Sequence, residues 1–347
     1  MPLAVNVGFV IVGIAVLYWG AEWLIRGSAS LARAFGVKPL VVGLTVVAYG
    51  ASAPELAVST KTALTHHQPI AVGTVVGSCA ANISLILGLT ALISPPTIDS
   101  RLIKRELPIL LGSAIAVPLL LWNGVLSRFE GAILIGCAVM FTVVTLTVSA
   151  RDLDHESRPT HGGQDGDDDD DPRDPGESDA RMRAEESGAA IGGRARPRAS
   201  RLVAIAMSAA GLVLLIAGAD MFVFGGRSIA TDLGMSERML GLTVISLGCA
   251  LPELVSSLVA AARGHSALAV GSVIGSNLLN VFLVLGVTAY LRPINLGERM
   301  HLVELLGLVA ITLLGILTLR GSRRITRIEG AILVLAYVAF VVTAALF

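Results

Sequence analysis

The stretch GLTVVAYGASAPELAVS, residues 43–59, returns 198 positions later as GLTVISLGCALPELVSS, residues 241–257. Each copy places a glutamate, Glu55 or Glu253, directly after a proline inside an otherwise apolar run. At the same offset residues 20–89 align with 218–287 without a gap, and 27 of the 70 positions are identical. Ala71-Val72-Gly73 matches Ala269-Val270-Gly271, Gly77-Ser78 matches Gly275-Ser276, and Asn82 matches Asn280. The chain is therefore an internal duplication.

Composition says where the two copies sit. Of 347 residues 54% are hydrophobic and only 15% charged, well below the roughly one quarter usual in soluble domains. The mean hydropathy of +0.76 agrees. Such a chain is a polytopic membrane protein, and in lipid only internally bonded helices or closed barrels satisfy the backbone. The balance of 26 basic and 26 acidic residues leaves no basic excess for nucleic acid. Cys79, Cys137 and Cys249 are too few and too far apart for a disulfide framework or a zinc site, and read as small packing residues.

Ten apolar runs approach the roughly 20 residues needed to cross about 30 Å of hydrocarbon. They cover about 3–25, 39–65, 70–95, 103–123 and 127–149, then 202–225, 239–262, 267–291, 301–320 and 326–347. We expect an all-α membrane protein of ten transmembrane helices, arranged as a first five-helix repeat in 1–150 and a second in 202–347. An odd number of spans per copy makes the second copy enter from the opposite side, so the repeat is inverted. Met1 to Gly20 could pass for a signal peptide, but its apolar run is long, no basic residue precedes it, and the repeat gives it a partner. The segment 151–201 holds 14 of the 26 acids, including Asp167 to Asp171, and is expected to be a disordered linker. A calcium loop starting at Asp165 fails, because its sixth and twelfth places hold Asp170 and Gly176 instead of Gly and Glu. Odd-numbered connections carry 11 Lys and Arg against 6 in the even ones, which puts the odd connections and the linker in the cytoplasm and both termini outside.

The duplicated polar residues carry the chemistry. A carboxylate alone in hydrocarbon costs at least a few kcal/mol, so Glu55 and Glu253 need a partner. Each preceding proline frees the carbonyl four residues earlier, Gly50 or Gly248, with Ala51 and Cys249 on the same turn. Ser78 and Asn82 are four apart, as are Ser276 and Asn280, so each pair projects from one helical face. Gly73 with Gly77, and Gly271 with Gly275, have the small-xxx-small spacing of close helix contacts. Two carboxylates with amide, hydroxyl and carbonyl oxygens suit one Ca²⁺, which takes 6–8 oxygens at roughly 2.3–2.6 Å. The bland alternative, two protonated carboxyls that merely hold their helices, is weakened by the matching Ser and Asn in both halves. Glu22 and Asp220 match too, but sit near span ends beside Arg26 and Arg227 and read as structural, while His67 and His265 fall in connections. No protease, lipase or nucleotide-binding motif is present, so the chain reads as no enzyme, drives transport from an ion gradient and implies no cofactor.

Residues 43–59 with 73–88, and 241–257 with 271–286, resemble the two α-repeats of the cation/calcium exchanger superfamily. The sodium/calcium exchanger branch is the better match, because Pro-Glu replaces the Asn-x-x-Glu of vacuolar-type proton/calcium exchangers. The resemblance implies alternating access in a cell membrane, plasma or inner, with membrane lipid around the chain and no protein partner. It implies Ca²⁺ held by Glu55 and Glu253 and by the backbone at Ala51 and Cys249, with Asn82 and Asn280 completing the centre. Flanking Na⁺ sites would draw on Ala48, Ser52 and Ser78, and on Ser246, Ala250 and Ser276. Ala51, Cys249, Ala250, Cys79 and Asn280 depart from the family pattern, so H⁺ in place of Na⁺, taken up by Glu55 and Glu253, is the alternative coupling. A cation channel and a calcium sensor signalling through the linker are the other classes.

Overall fold

The computed structural model describes residues 3–35, 39–64, 68–96, 100–156, 197–232, 243, 245–295, 302–321 and 324–346. Nearly all are helical, in ten successive stretches. The first half comprises α1 (Leu3–Phe35), α2 (39–64), α3 (68–93), α4 (Ser100–Leu120) and α5 (Arg128–Glu156). The second comprises α6 (Pro197–Asp232), α7 (Ser246–Ala262), α8 (266–291), α9 (Leu302–Gly321) and α10 (Arg327–Leu346). Stretches within α1, α3, α5, α6, α8 and α10, six among the described residues, are long and apolar enough to cross a membrane. Side chains such as Ile11, Trp19, Trp122, Phe129 and Leu335 are exposed on their outer faces, as lipid-facing positions must be. The helices α5 and α6 overrun the expected linker boundaries, to Glu156 and from Pro197, while most of that linker, 157–196, lies outside the described residues. Proline at the first position of α6 costs nothing, since that N–H has no intrahelical acceptor.

The helices α2, α3 and α8 are not uniform. A π-helical segment interrupts each, at Gly43–Val47, Ala81–Ile86 and Asn280–Leu285. The last two fall at matching places in the repeat. Pro54 and Pro252 were expected to break their helices, and here the halves differ. α2 pauses at Ser52 (φ −80°, ψ 0°) before resuming as Ala53–Leu64, whereas α7 runs through Pro252 without a break. A proline removes one hydrogen bond and crowds one carbonyl, and packing decides whether the helix opens in response.

The antiparallel register of α1 against α6 makes the inversion visible. Glycines recur every seventh residue at Gly13, Gly20 and Gly27, and at Gly211, Gly218 and Gly225 in the second copy. A Cβ on Gly13 would lie 2.9 Å from the carbonyl oxygen of Gly218, and one on Gly20 would lie 2.9 Å from that of Gly211. The two helices thus touch backbone to backbone, running in opposite directions, and the repeat exchanges the Gly13–Gly218 contact with the Gly20–Gly211 contact. Gly88 against Gly330 and Gly131 against Gly286 repeat the device, joining α3 to α10 and α5 to α8. Gly275 behaves as its spacing suggests, sitting beneath Ala48 and Leu44 of the other half, but Gly73 has open space around it.

The halves also clasp each other through their connections. β1 (Val125–Leu126) pairs antiparallel with β2 (Ile294–Asn295), placing Leu126 opposite Ile294. At the equivalent place the Ile325 N–H donates to the Pro96 carbonyl at 3.2 Å. A capping box follows each clasp: the Ser127 and Thr326 N–H groups donate to the Glu130 and Glu329 carboxylates at 2.8 and 2.7 Å. The reciprocal Glu N–H to hydroxyl bonds are 3.3 Å in both.

Buried apolar residues form two clusters. A large one is built by α3, α4, α5, α7, α8, α9 and α10, with Leu44 of α2. A smaller one, including Leu17, Leu24, Leu215 and Ala260, seats α1 and α6 against α2, α7 and α8. The close contacts predict that Gly20→Leu pries α1 from α6, costing about 1–3 kcal/mol as overpacked cores do. Gly73→Ala, in open space, is neutral or gains up to about 1 kcal/mol of helix propensity. Thermal unfolding of the purified variants in detergent checks both.

Candidate cation site

The polar residues singled out in the sequence lie where the halves cross. On α8, Ser272, Ser276 and Asn280 follow one another at four-residue steps and form a buried row along one face. On α3 the corresponding row is Thr74, Ser78 and Asn82, also buried. α8 reaches the other half because Gly43 and Gly275 carry no side chains: a Cβ on Gly43 would meet the Ser272 nitrogen at 2.9 Å, and one on Gly275 the Ala48 Cβ at 2.8 Å.

Glu253 enters this crossing from α7 and Glu55 from α2. The Ser276 hydroxyl donates to Glu253 Oε2 at 2.9 Å, and the Ser272 hydroxyl faces the same carboxyl group. Glu253 Oε1 and Glu55 Oε2 are buried and have no hydrogen-bond partner among the described residues. The two carboxyl groups lie within electrostatic reach of each other. The Ser52 hydroxyl and both amide atoms of Asn82 and Asn280 are likewise buried without such a partner. Native interiors leave few polar atoms unmatched, so this concentration marks a place built to bind something polar.

Contacts across the internal axis hold the rows in register. The Ser78 hydroxyl donates to the Ser246 carbonyl at 3.4 Å. Asn277 Nδ2 donates to the Cys79 carbonyl at 3.2 Å, and the Cys79 thiol lies 3.8 Å from the Asn277 carbonyl. Residues 79 and 277 are equivalent in the repeat, so the axis passes between them. The Asn280 amide sits beside Cys79, again joining the two halves. The π segments of α3 and α8 begin at Ala81 and Asn280, beside this crossing, where an extra residue in the turn redirects both side chains and carbonyls.

Glu55, Glu253, Asn82, Asn280, Ser52, Ser78, Ser246, Ser276, Ala48, Ala51 and Cys249 are all no more than 2% exposed. Ala48, Ala51 and Ala250 have only backbone oxygens to give. Thr74, Ser272 and Asn277 escaped the sequence reading. The first two were legible as one further four-residue step along each row; Asn277 was not, because its partner belongs to the other half. Glu22 was expected near a span end but is buried well inside α1, which runs on to Phe35; it is paired with Arg26 and is also held by Arg263. His67, Gly241 and Arg238 lie outside the described residues.

The profile of the sodium/calcium exchanger protein family matches residues 5–147 and 203–346. The protein CaxA of Alkalimonas amylolytica is 34% identical over 336 residues, covering 96% of both chains. The sodium/calcium exchanger MaX1 of Methanosarcina acetivorans is 30% identical over 358 residues, covering 98% of both chains. A solved structure of the sodium-calcium exchanger NCX_Mj superimposes with a TM-score of 0.75 at 28% identity, over 97% of this chain and 98% of its own. The chain belongs to the sodium/calcium exchanger family. It is a membrane ion antiporter and not an enzyme.

Ser272→Ala removes a hydroxyl that faces Glu253 while leaving Ser276 in place. Half-saturating cation in a transport assay is expected to rise several-fold with folded yield unchanged, because one neutral oxygen beside the carboxyl group, buried with no hydrogen-bond partner among the described residues, is lost. Unaltered half-saturation would remove Ser272 from the site.

Proposed function

We propose that the protein exchanges Ca²⁺ for Na⁺ across a cell membrane by alternating access, with Glu55 and Glu253 as the shared ligands. The observation that carries this reading is the pair of buried carboxyl groups, one from each inverted half, each with an oxygen that has no hydrogen-bond partner among the described residues. Two buried like charges repel and lose hydration, so they need a cation or a proton between them. Ca²⁺ matches their charge and their all-oxygen surroundings, to which Asn82, Asn280 and the carbonyls of Ala51 and Cys249 add neutral donors. Na⁺ would be held beside it by Ser52, Ser78, Ser246 and Ser276 and by the carbonyl of Ala48. A hydroxyl that donates its proton, as Ser276 does to Glu253, still presents lone pairs to a cation. Because both ions use the same carboxylates, one leaves as the other binds, and that competition couples them. The inverted halves can exchange conformations and so open one site to either side in turn. In the proposed orientation both termini face outward and the acidic segment around 157–196 faces the cytoplasm.

One observation favours H⁺ as the counter-ion. Ala48 and Ala250 offer no side-chain oxygen at two of the positions that flank the centre, which thins the ligands for Na⁺ but leaves both glutamates able to carry a proton.

Calcium uptake into proteoliposomes, under a sodium gradient and a pH gradient applied separately, distinguishes the two couplings. Uptake driven by neither would contradict antiport. Glu55→Gln and Glu253→Gln each keep the side-chain volume and remove one charge, so calcium flux should fall to background with folded yield retained. Normal flux in either variant would refute the assignment. Ser52→Ala should weaken sodium drive more than calcium binding, and equal losses would place Ser52 outside the sodium site.

A further inference from the structure

Beyond the cation site, one titratable cluster is built into only one half of the duplication. Glu22 of α1 is 4% exposed. Its Oε1 accepts from Arg26 at 2.5 Å, one turn along the same helix, and from Arg263 at 2.6 Å. Arg263 caps the C-terminal end of α7, the helix that carries Glu253 ten residues earlier. The second contact therefore ties α1 to the helix that holds a site carboxylate, about 15 Å along its axis.

The α1–α6 pair rests on the other helices through its own small apolar cluster, apart from the large core. The ionic contact at its edge, made by half-exposed arginines to the buried Glu22, adds to what fixes its position. At the offset of 198, Glu22 corresponds to Asp220, Arg26 to Phe224 and Arg263 to Thr65. The second copy keeps the acid and lacks both guanidinium groups. Its acid is also placed differently, since Asp220 is exposed where Glu22 is buried. Phe224 packs edge-on against Phe9, with ring centroids 5.0 Å apart, and carries no charge.

We propose that Arg263, with Glu22 and Arg26, is a positioning element that biases the exchanger toward the access state described here. This rests on the alternating-access reading above. When inverted halves exchange roles, each takes up the arrangement now shown by the other. Asp220 then moves to the sheltered place, where the positions equivalent to Arg26 and Arg263 hold Phe224 and Thr65, while Glu22 moves to the exposed one and leaves Arg263. The ionic contact is made in one state and has no counterpart in the other. A contact of that kind shifts the population of the two states without touching the ion ligands.

Sided transport measures the bias. The apparent dissociation constant at each face is the site's own divided by the fraction of protein open to that face. Half-saturating Ca²⁺ is measured on each face in right-side-out and inside-out vesicles. Arg263→Thr should shift the ratio of the two values about fivefold or more, toward tighter binding at the face that the latched state would keep closed. Arg263→Lys should keep most of the wild-type ratio. Adding Thr65→Arg to Arg263→Thr should drive the ratio further in the same direction, because the latch is then rebuilt in the opposite half. The ion gradients at which net flux stops should be unchanged in all three variants. A ratio unmoved by Arg263→Thr, or lost flux with equal changes at both faces, overturns the proposal and leaves Arg263 structural.

Hydrogen exchange in detergent reads the contact without any transport. Arg263→Thr should raise exchange in residues 18–30 and 259–266, and unchanged exchange there overturns the latch even if antiport stands. Wild-type protein that moves no Ca²⁺ under either gradient would defeat the antiport reading, and the exchange data would still decide whether the contact holds α1.

Discussion

Glu55 and Glu253 are buried within electrostatic reach of each other, and each keeps an oxygen for which the described residues supply no donor. In a low-dielectric interior two such groups cannot both stay ionised unless something positive lies close by. Much of the surrounding architecture serves that constraint. Gly43 and Gly275 let α2 and α8 cross at backbone distance, and the α8 row brings Ser272 and Ser276 to Glu253. The equivalent pair Cys79 and Asn277 pins the two halves at the axis itself. A fold that held these acids apart could be equally apolar and equally helical, and would have no reason to duplicate them.

Much of this was legible in the sequence, and the exceptions have identifiable causes. Hydropathy located the helical stretches, and most boundaries fell within a few residues of the observed ones, because an apolar run is a local property. The offset of 198 announced the duplication, and the four-residue steps from Ser78 to Asn82 and from Ser276 to Asn280 announced the polar rows. The π segments were invisible, since shifting one hydrogen bond along a helix leaves no mark in side-chain identity. The different fates of Pro54 and Pro252 were also hidden, because the two Pro-Glu-Leu tripeptides are the same and the difference lies in the residues around them. The seven-residue glycine spacing in α1 and α6 was there to be read, but that each helix is the other's partner is a property of the fold. The capping boxes before α5 and α10 were likewise present as Ser-x-x-Glu and Thr-x-x-Glu, while the clasp they follow joins residues more than 160 positions apart.

In the proposed alternating-access mechanism, the places where the copies agree would serve both access states: the acids, the hydroxyl and amide rows, and the paired glycines. The places where they disagree would distinguish one state from the other. Ser52 against Ala250 and Ala51 against Cys249 make the two sides of the centre chemically unequal, and Arg263 against Thr65 makes the two closures unequal. A perfectly symmetric carrier would spend equal time open to each side. Departures from symmetry are how such a chain sets its resting state and its order of affinities without altering the shared carboxylates.

The most direct test of the central claim is an experimental structure with Sr²⁺ in place of Ca²⁺, located by its anomalous scattering. The account predicts one strong divalent peak between the carboxyl groups of Glu55 and Glu253, within coordination distance of oxygens from both halves. A peak held by only one half, or carboxyl groups separated by packed apolar side chains with the metal elsewhere, would contradict it.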